Sequence, residues 1–209
     1  MTQRSAGLQT PPSPKRGSQL EITIVKVGGR LLAHPEHLDA TLAALTSAAQ
    51  EVPLLVVPGG GAFADAVRDA DRRFGLSDDA AHWMAVLAMD QYGHLLASRM
   101  TNARLVLRLS DATASLEDGR TPLLAPYQWL READPLPHSW DVTSDSISAW
   151  VAGQIGAARL VLVKPPGAGG PAIVDPCFER FLPAHIKAEI VTADQIGELH
   201  RSLTGRARR

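Results

Sequence analysis

Short aliphatic runs recur along this chain, and a longer segment with helical spacing follows most of them. "LEITIVKV" (20–27) is rich in β-branched residues, and "PLLVVP" (53–58) is apolar throughout, as suits a strand buried on both sides. "RLVLRL" (104–109), "RLVLVK" (159–164) and "AEIVT" (188–192) read as further strands. A helix is expected over 34–50, with Leu38, Leu42 and Leu45 on one face, and another over 63–74, where Phe63, Val67, Ala70 and Phe74 repeat. Ser77, Asp78 and Asp79 suit a helix start, because a hydroxyl caps free N–H groups and carboxylates favour the positive end. The helix they open runs to about Arg99 and is apolar almost all round, so a central place is expected for it. Helices near 123–134, 144–155 and 193–202 fill the remaining gaps. Strands alternating with helices predict an α/β fold, a three-layer α/β/α sandwich on a mostly parallel sheet. In such folds ligands bind beyond the C-terminal ends of the strands.

The 209 residues suffice for one sizeable domain, expected over 20–202. Residues 1–19 mix Pro, Ser, Gln and Gly with little to bury and are expected to be disordered. Residues 203–209 read as a basic tail. A formal net charge of −1 argues against wholesale binding to nucleic acid or an anionic membrane. One cysteine, Cys177, allows no internal disulfide and no cysteine-rich zinc site. With no apolar run of membrane-spanning length and no signal-like start, a cytoplasmic protein acting on soluble small molecules is expected.

Two of the strands end in glycine clusters. "IVKVGGR" carries Lys26 and then Gly28 and Gly29, and "LVVPGGGAFA" carries Gly59, Gly60 and Gly61. The second matches a dinucleotide-binding pattern at Gly59, Gly61 and Ala64, but two helices intervene before the next strand, so the usual acidic partner is missing. No Walker lysine follows either cluster. What survives is backbone free to turn N–H groups toward an anion at a helix N-terminus, with a lysine beside it. The bland alternative is a tight strand-to-helix turn. A third element, "DVTSDSISAWVA", puts Thr143, Ser144, Asp145 and Ser146 where a helix begins. There Asp145 serves either as a first-turn carboxylate or as an organiser of lysines.

In this order and at these spacings, "IVKVGG", "LVVPGGG" and "TSDSISAWVA" resemble the amino acid kinase family. The longer stretches 75–99 and 139–152 are similar to its small kinases of methanofuran-type cofactor synthesis, which convert an aminomethylfuran-methyl phosphate to its diphosphate. The resemblance implies a kinase using ATP and Mg²⁺ carried by ATP, acting on a small-molecule acceptor, and expected as a homo-oligomer. It implies that Lys26 neutralises the transferred phosphoryl group and that Gly28 and Gly29 donate N–H groups to it. Gly59, Gly60, Gly61 and Ser144 would serve the acceptor side, and Asp145 would orient the lysines. The chain departs from its larger relatives in carrying Arg30 where they have Ser, and in ending β-strand 159–164 with "KPPGAGGP". Lys164 then stands in as a second phosphate-binding lysine, with Gly167 on the nucleotide side, or it simply reaches water. Arg30 either holds a phosphate already on the substrate or points to solvent.

Asp90, a charge in an apolar helix, needs a partner. A substrate ammonium would serve, as would Arg99 or Arg104. His82 and Trp83 read as packing residues. The histidines show no metal-ligand spacing, so no protein-held metal is expected. Two rivals stand beside the kinase for an amine-bearing phosphomonoester. One is a non-catalytic nucleotide- or oxyanion-binding storage protein of the same fold; the other is a kinase for an amino acid, carbamate or UMP.

Overall fold

The computed structural model describes residues 21–171 and 173–205, so the expected disordered segment and residues 206–209 lie outside the described residues. Strand β1 (Thr23–Val27) passes through a 3-10 turn (Gly29–Ala33) into α1 (Pro35–Ala48). Strand β2 (Leu54–Pro58) feeds α2 (Gly61–Phe74) and then α3 (Asp78–Arg99). Next come β3 (Ala103–Val106), α4 (Leu109–Glu117), β4 (Thr121–Leu124) and α5 (Tyr127–Ala133). The chain continues with α6 (Ser144–Ile155), β5 (Arg159–Lys164), α7 (Phe178–Phe181), β6 (Lys187–Thr192) and α8 (Ile196–Thr204).

The six strands lie in the order β3-β4-β2-β1-β5-β6, and every pairing is parallel. Apolar side chains cover both faces, as a parallel sheet requires. On one face Ile24, Leu160 and Leu162 pack with Ile147 and Val151 of α6. On the other, Val25, Val27, Val161 and Val163 pack with Leu38, Leu42 and Leu45 of α1 and Leu199 and Leu203 of α8. The α/β three-layer architecture expected from the alternation is the one observed.

Strand alternation also decides where the charges go. Side chains switch faces at each residue, so Lys26 shares a face with Ile24, and Lys164 shares it with Leu160 and Leu162. That is the face covered by α6. Both lysines therefore emerge at adjacent strand ends toward the N-terminus of α6.

The near-uniform apolarity of α3 has a simple cause. Its first half sends Trp83, Val86 and Met89 into one core, and its second half sends Tyr92 and Leu96 into the other. Three local expectations need correction. The strand over 104–109 stops at Val106, and Leu109 already opens α4, with Asp111 in its first turn. A strand, β4, occupies the start of the expected 123–134 helix; Pro122, an unusual residue inside a sheet, masked it. Finally, α8 extends to Thr204 and ends on the left-handed Gly205, so the regular structure outlasts the expected domain end.

Candidate active site

Lys26, Lys164 and Asp145 form one buried cluster. The Lys164 ammonium donates to Asp145 Oδ2 at 2.7 Å. The Lys26 ammonium lies 2.9 Å from Asp145 Oδ1, close enough for strong attraction but off the axis of a directed hydrogen bond. All three side chains are at least nine-tenths buried. Burial by itself would raise the Asp145 carboxyl, but the two ammonium groups outweigh it and hold the group below the usual carboxylate range. Lys164 moves down, first through burial and then through repulsion by Lys26, and attraction to Asp145 only partly offsets these. Two cations thus share one anion. Within these three residues positive charge exceeds negative by one, and Asp175 adds its attraction on Lys164.

The two glycine turns meet beside this cluster. A Cβ on Gly29 would stand 2.0 Å from the Gly61 nitrogen, and one on Gly59 would stand 2.5 Å from the Gly29 nitrogen. Glycine is required at these positions because backbone packs on backbone, and Gly61 adopts φ +55° as well. The roles expected of the glycines divide accordingly. Gly28 donates its N–H to the Val163 carbonyl and Gly59 donates to Val27, both at 2.9 Å, so neither is free for an anion. That corrects the expectation for these two residues. Gly29 heads the 3-10 turn and Gly61 heads α2, where leading N–H groups have no partner inside their own element. Gly29, Gly60 and Gly61 line the cavity together with Lys26, Asp145 and Lys164.

One residue essential to this geometry escaped the sequence reading. Asp175 Oδ2 accepts from the N–H groups of Thr143 (2.9 Å) and Ser146 (3.0 Å) and from the Thr143 hydroxyl (2.7 Å). Its Oδ1 accepts from the Cys177 N–H at 3.1 Å and from the Ser146 hydroxyl. A carboxylate from a distant loop therefore caps α6 and aims the first turn that carries Asp145. The one local signal is an acid followed by Pro176 after a glycine-rich stretch, which looks like any turn.

The cavity has a volume of about 480 Å³, within the usual range for small-molecule sites. Beyond the lysines it is walled by Ala81, His82, Val86 and Met89 of α3, and by Arg68 of α2 with Trp140. The Arg68 guanidinium sits 4.7 Å above the Trp140 ring, whose Nε1 donates to Asp71 at 2.8 Å. Arg30 and Ser144 also line it, and Arg30 is exposed with no ion-pair partner among the described residues. Gly167 does not line the cavity; Ala168 and Gly169 do, while the Gly167 backbone interacts with the Asp194 carboxylate.

Asp90 is the clearest correction. It is absent from the cavity wall and instead accepts the Tyr127 N–H at 3.1 Å, capping α5. Neither expected arginine reaches it: Arg99 pairs with Asp39 and Arg104 with Asp118. Burial raises its carboxyl to about 6, only partly countered by the Tyr127 hydrogen bond. A helix N-terminus provides the positive partner the sequence demanded. Among the described residues no cluster of histidine, cysteine or carboxylate side chains is suited to hold a metal ion, and no helix is long and apolar enough to cross a membrane.

Two buried lysines beside open glycine turns at the C-terminal ends of parallel strands place the cavity where α/β proteins of this layered kind bind their ligands. The chain belongs to the amino acid kinase family, whose model matches residues 21–165, and it is a phosphotransferase. It is 30% identical over 175 residues to the [5-(aminomethyl)furan-3-yl]methyl phosphate kinase of Methanocaldococcus jannaschii, a match spanning 83% of this chain and 75% of that one. Its fold resembles the uridylate kinase of Archaeoglobus fulgidus (TM-score 0.65, 15% identity, 90% of this chain and 97% of that chain). The UMP kinase of Bacillus anthracis superposes similarly (TM-score 0.62, 14% identity, 90% and 93%).

Proposed function

We propose that the chain transfers the γ-phosphoryl group of ATP, carried with Mg²⁺, to the phosphate of a small amine-bearing phosphomonoester, yielding its diphosphate and ADP. The observation that carries this reading is the Lys26–Asp145–Lys164 cluster, short of one negative charge, at the floor of the cavity. In the step, a non-bridging oxygen of the acceptor phosphate forms a bond to the γ-phosphorus as its bond to the β,γ-bridging oxygen breaks. Lys26 and Lys164 neutralise charge on the group in flight, and the leading N–H groups at Gly29 and Gly61 receive its oxygens. Asp145 holds the two lysines in place.

The site also favours the class of nucleophile. Asp145 is pinned between two ammonium groups below the ordinary carboxylate range, which makes it a poor base. His82, the nearest histidine on the wall, is depressed to about 4, first by burial and then by His138. An acceptor that is already anionic needs no base, whereas an alcohol does. A phosphomonoester fits, and the acceptor named for the Methanocaldococcus relative is one that also bears an aminomethyl group. With no metal-holding cluster among the described residues, Mg²⁺ would arrive on the nucleotide phosphates. We place the reaction in methanofuran-type cofactor synthesis on the strength of that relative.

The test is to incubate the protein with MgATP and [5-(aminomethyl)furan-3-yl]methyl phosphate and follow ³¹P resonances. A new pair of coupled diphosphate signals from the acceptor, with ADP in equal amount, is expected. ADP without acceptor diphosphate, or turnover of UMP in preference, overturns this reading.

A further inference from the structure

We propose that Asp78 and His82, one turn apart on α3, form the site that reads the ammonium end of the acceptor. The proposal rests on the amine-bearing phosphomonoester reading above and names the residues that enforce it. Asp78 and His82 are spaced i,i+4, so they share one helix face, and both line the cavity.

His82 is 8% exposed, yet neither of its ring nitrogens has a hydrogen-bond partner among the described residues. Its ring is held by packing alone. The His138 ring stacks on it at 4.1 Å and 15°, and Trp83 meets it edge-on at 4.7 Å and 85°. His138 is itself clamped between Asp79 (3.0 Å) and Asp134 (2.9 Å). The imidazole is fixed this firmly while its nitrogens are not among the buried unpartnered atoms, so on the cavity lining they stay accessible to a ligand. Burial and then the neighbouring His138 outweigh the opposing Asp134 and Asp79 and keep it neutral, so one ring nitrogen offers a lone pair.

The carboxylates around the wall are otherwise engaged. Asp79 binds His138 and the Trp83 indole, Asp65 binds Arg68, and Asp71 binds Trp140. Asp78 has no such partner among the described residues. An ammonium carries three donors and no acceptor, so a carboxylate and a neutral imidazole on one helix face together answer a charge and two of its N–H groups. Lys26, Lys164 and Arg30 also line the cavity, where they repel a cation and attract a phosphate, while the Arg68 guanidinium is paired with Asp65. The lining thus offers cations for a phosphate and an anion with a neutral imidazole for an ammonium, and on this proposal the acceptor enters in the orientation that matches both.

The probes are [5-(aminomethyl)furan-3-yl]methyl phosphate and the same phosphate with hydroxymethyl in place of aminomethyl. Each is titrated calorimetrically into the full chain and then assayed with MgATP. The wild-type protein is expected to bind the amine roughly tenfold or more tightly than its counterpart, the usual worth of a charge-assisted contact. Asp78→Asn, at an exposed position, should bring that ratio toward one, and Asp78→Glu should restore much of it. His82→Phe keeps the ring contacts, removes both nitrogens and should also lower the ratio. A wild-type protein that binds the probes equally, or binds neither, overturns the ammonium site, as does a ratio unchanged in both Asp78→Asn and His82→Phe. A wild-type protein that prefers the amine but transfers no phosphoryl group to it upholds the ammonium site and refutes the proposed acceptor instead.

Discussion

The floor of the cavity and its α3 wall solve opposite problems. At the floor, charges are buried and packed against each other: two lysines from adjacent parallel strands converge on one carboxylate, which a second acid, Asp175, aims from behind. Along the wall, polar groups are held by ring stacking and left open, as His82 is between His138 and Trp83. Under the proposed function the floor stabilises charge on a transferred phosphoryl group, and its buried, mutually paired side chains suit that task. Under the ammonium-site proposal the wall tells one acceptor from another, and its open polar atoms are completed by the acceptor.

The largest test of this contrast is at the floor. Lys26→Met should lower kcat by roughly a hundredfold or more, because one charge on the phosphoryl group is lost. It should cost little stability, since Asp145 and Lys164 remain as a balanced pair. Asp145→Asn should lose at least as much rate and also about 3 kcal/mol of stability, because two buried ammonium groups are left facing each other. Thermal melting beside steady-state kinetics separates the two variants. Equal melting losses would break the charge arithmetic proposed for the cluster.

A smaller effect is expected at Asp175. Asp175→Ala removes the α6 cap and should destabilise the protein by about 1–2 kcal/mol. The loosened first turn of α6 should lower kcat about tenfold while the KM for ATP changes little. A melting change with unaltered kcat would reduce Asp175 to a structural cap.

The smallest effect belongs to the far part of α3. Asp90 caps α5 and, with its carboxyl raised to about 6, is a cost to the folded state when ionised. For a raised carboxyl the folded state binds more protons between its ordinary value and about 6, so stability falls as pH rises through that window. Asp90→Asn keeps the acceptor for the Tyr127 N–H and removes the charge. It should raise stability by about 1 kcal/mol at pH 8, after allowance for solvent screening, and by less at pH 4. Acceptor preference should not change, because Asp90 lies off the cavity wall. A selective loss of amine acceptors in this variant would return Asp90 to the site and weaken the case for Asp78.

Much of the floor was legible from local pattern. Lys26 before a glycine pair, and Asp145 at a helix start, are neighbours in the chain of the turns they serve. The wall was not legible. His82 reads as packing in any sequence, because nothing local says that its nitrogens are unbonded. Asp90 drew attention as a buried charge, but its partner is the first N–H of a helix that begins at Tyr127, which no spacing rule reveals.

The chain's own pattern determined the layered parallel sheet, the glycine turns at the ends of β1 and β2, and the presence of charge beside them. It did so because strand and helix periodicity, and the steric freedom of glycine, act over a few residues. Tertiary structure alone decided which glycine N–H groups stay open, since Gly28 and Gly59 spend theirs on Val163 and Val27. It likewise joined Lys164 to Asp145, set Asp175 under α6, and left His82 without a hydrogen bond. Each of these depends on distance between segments far apart in the chain, and a hydrogen bond or ion pair is decided by ångströms that sequence spacing does not carry.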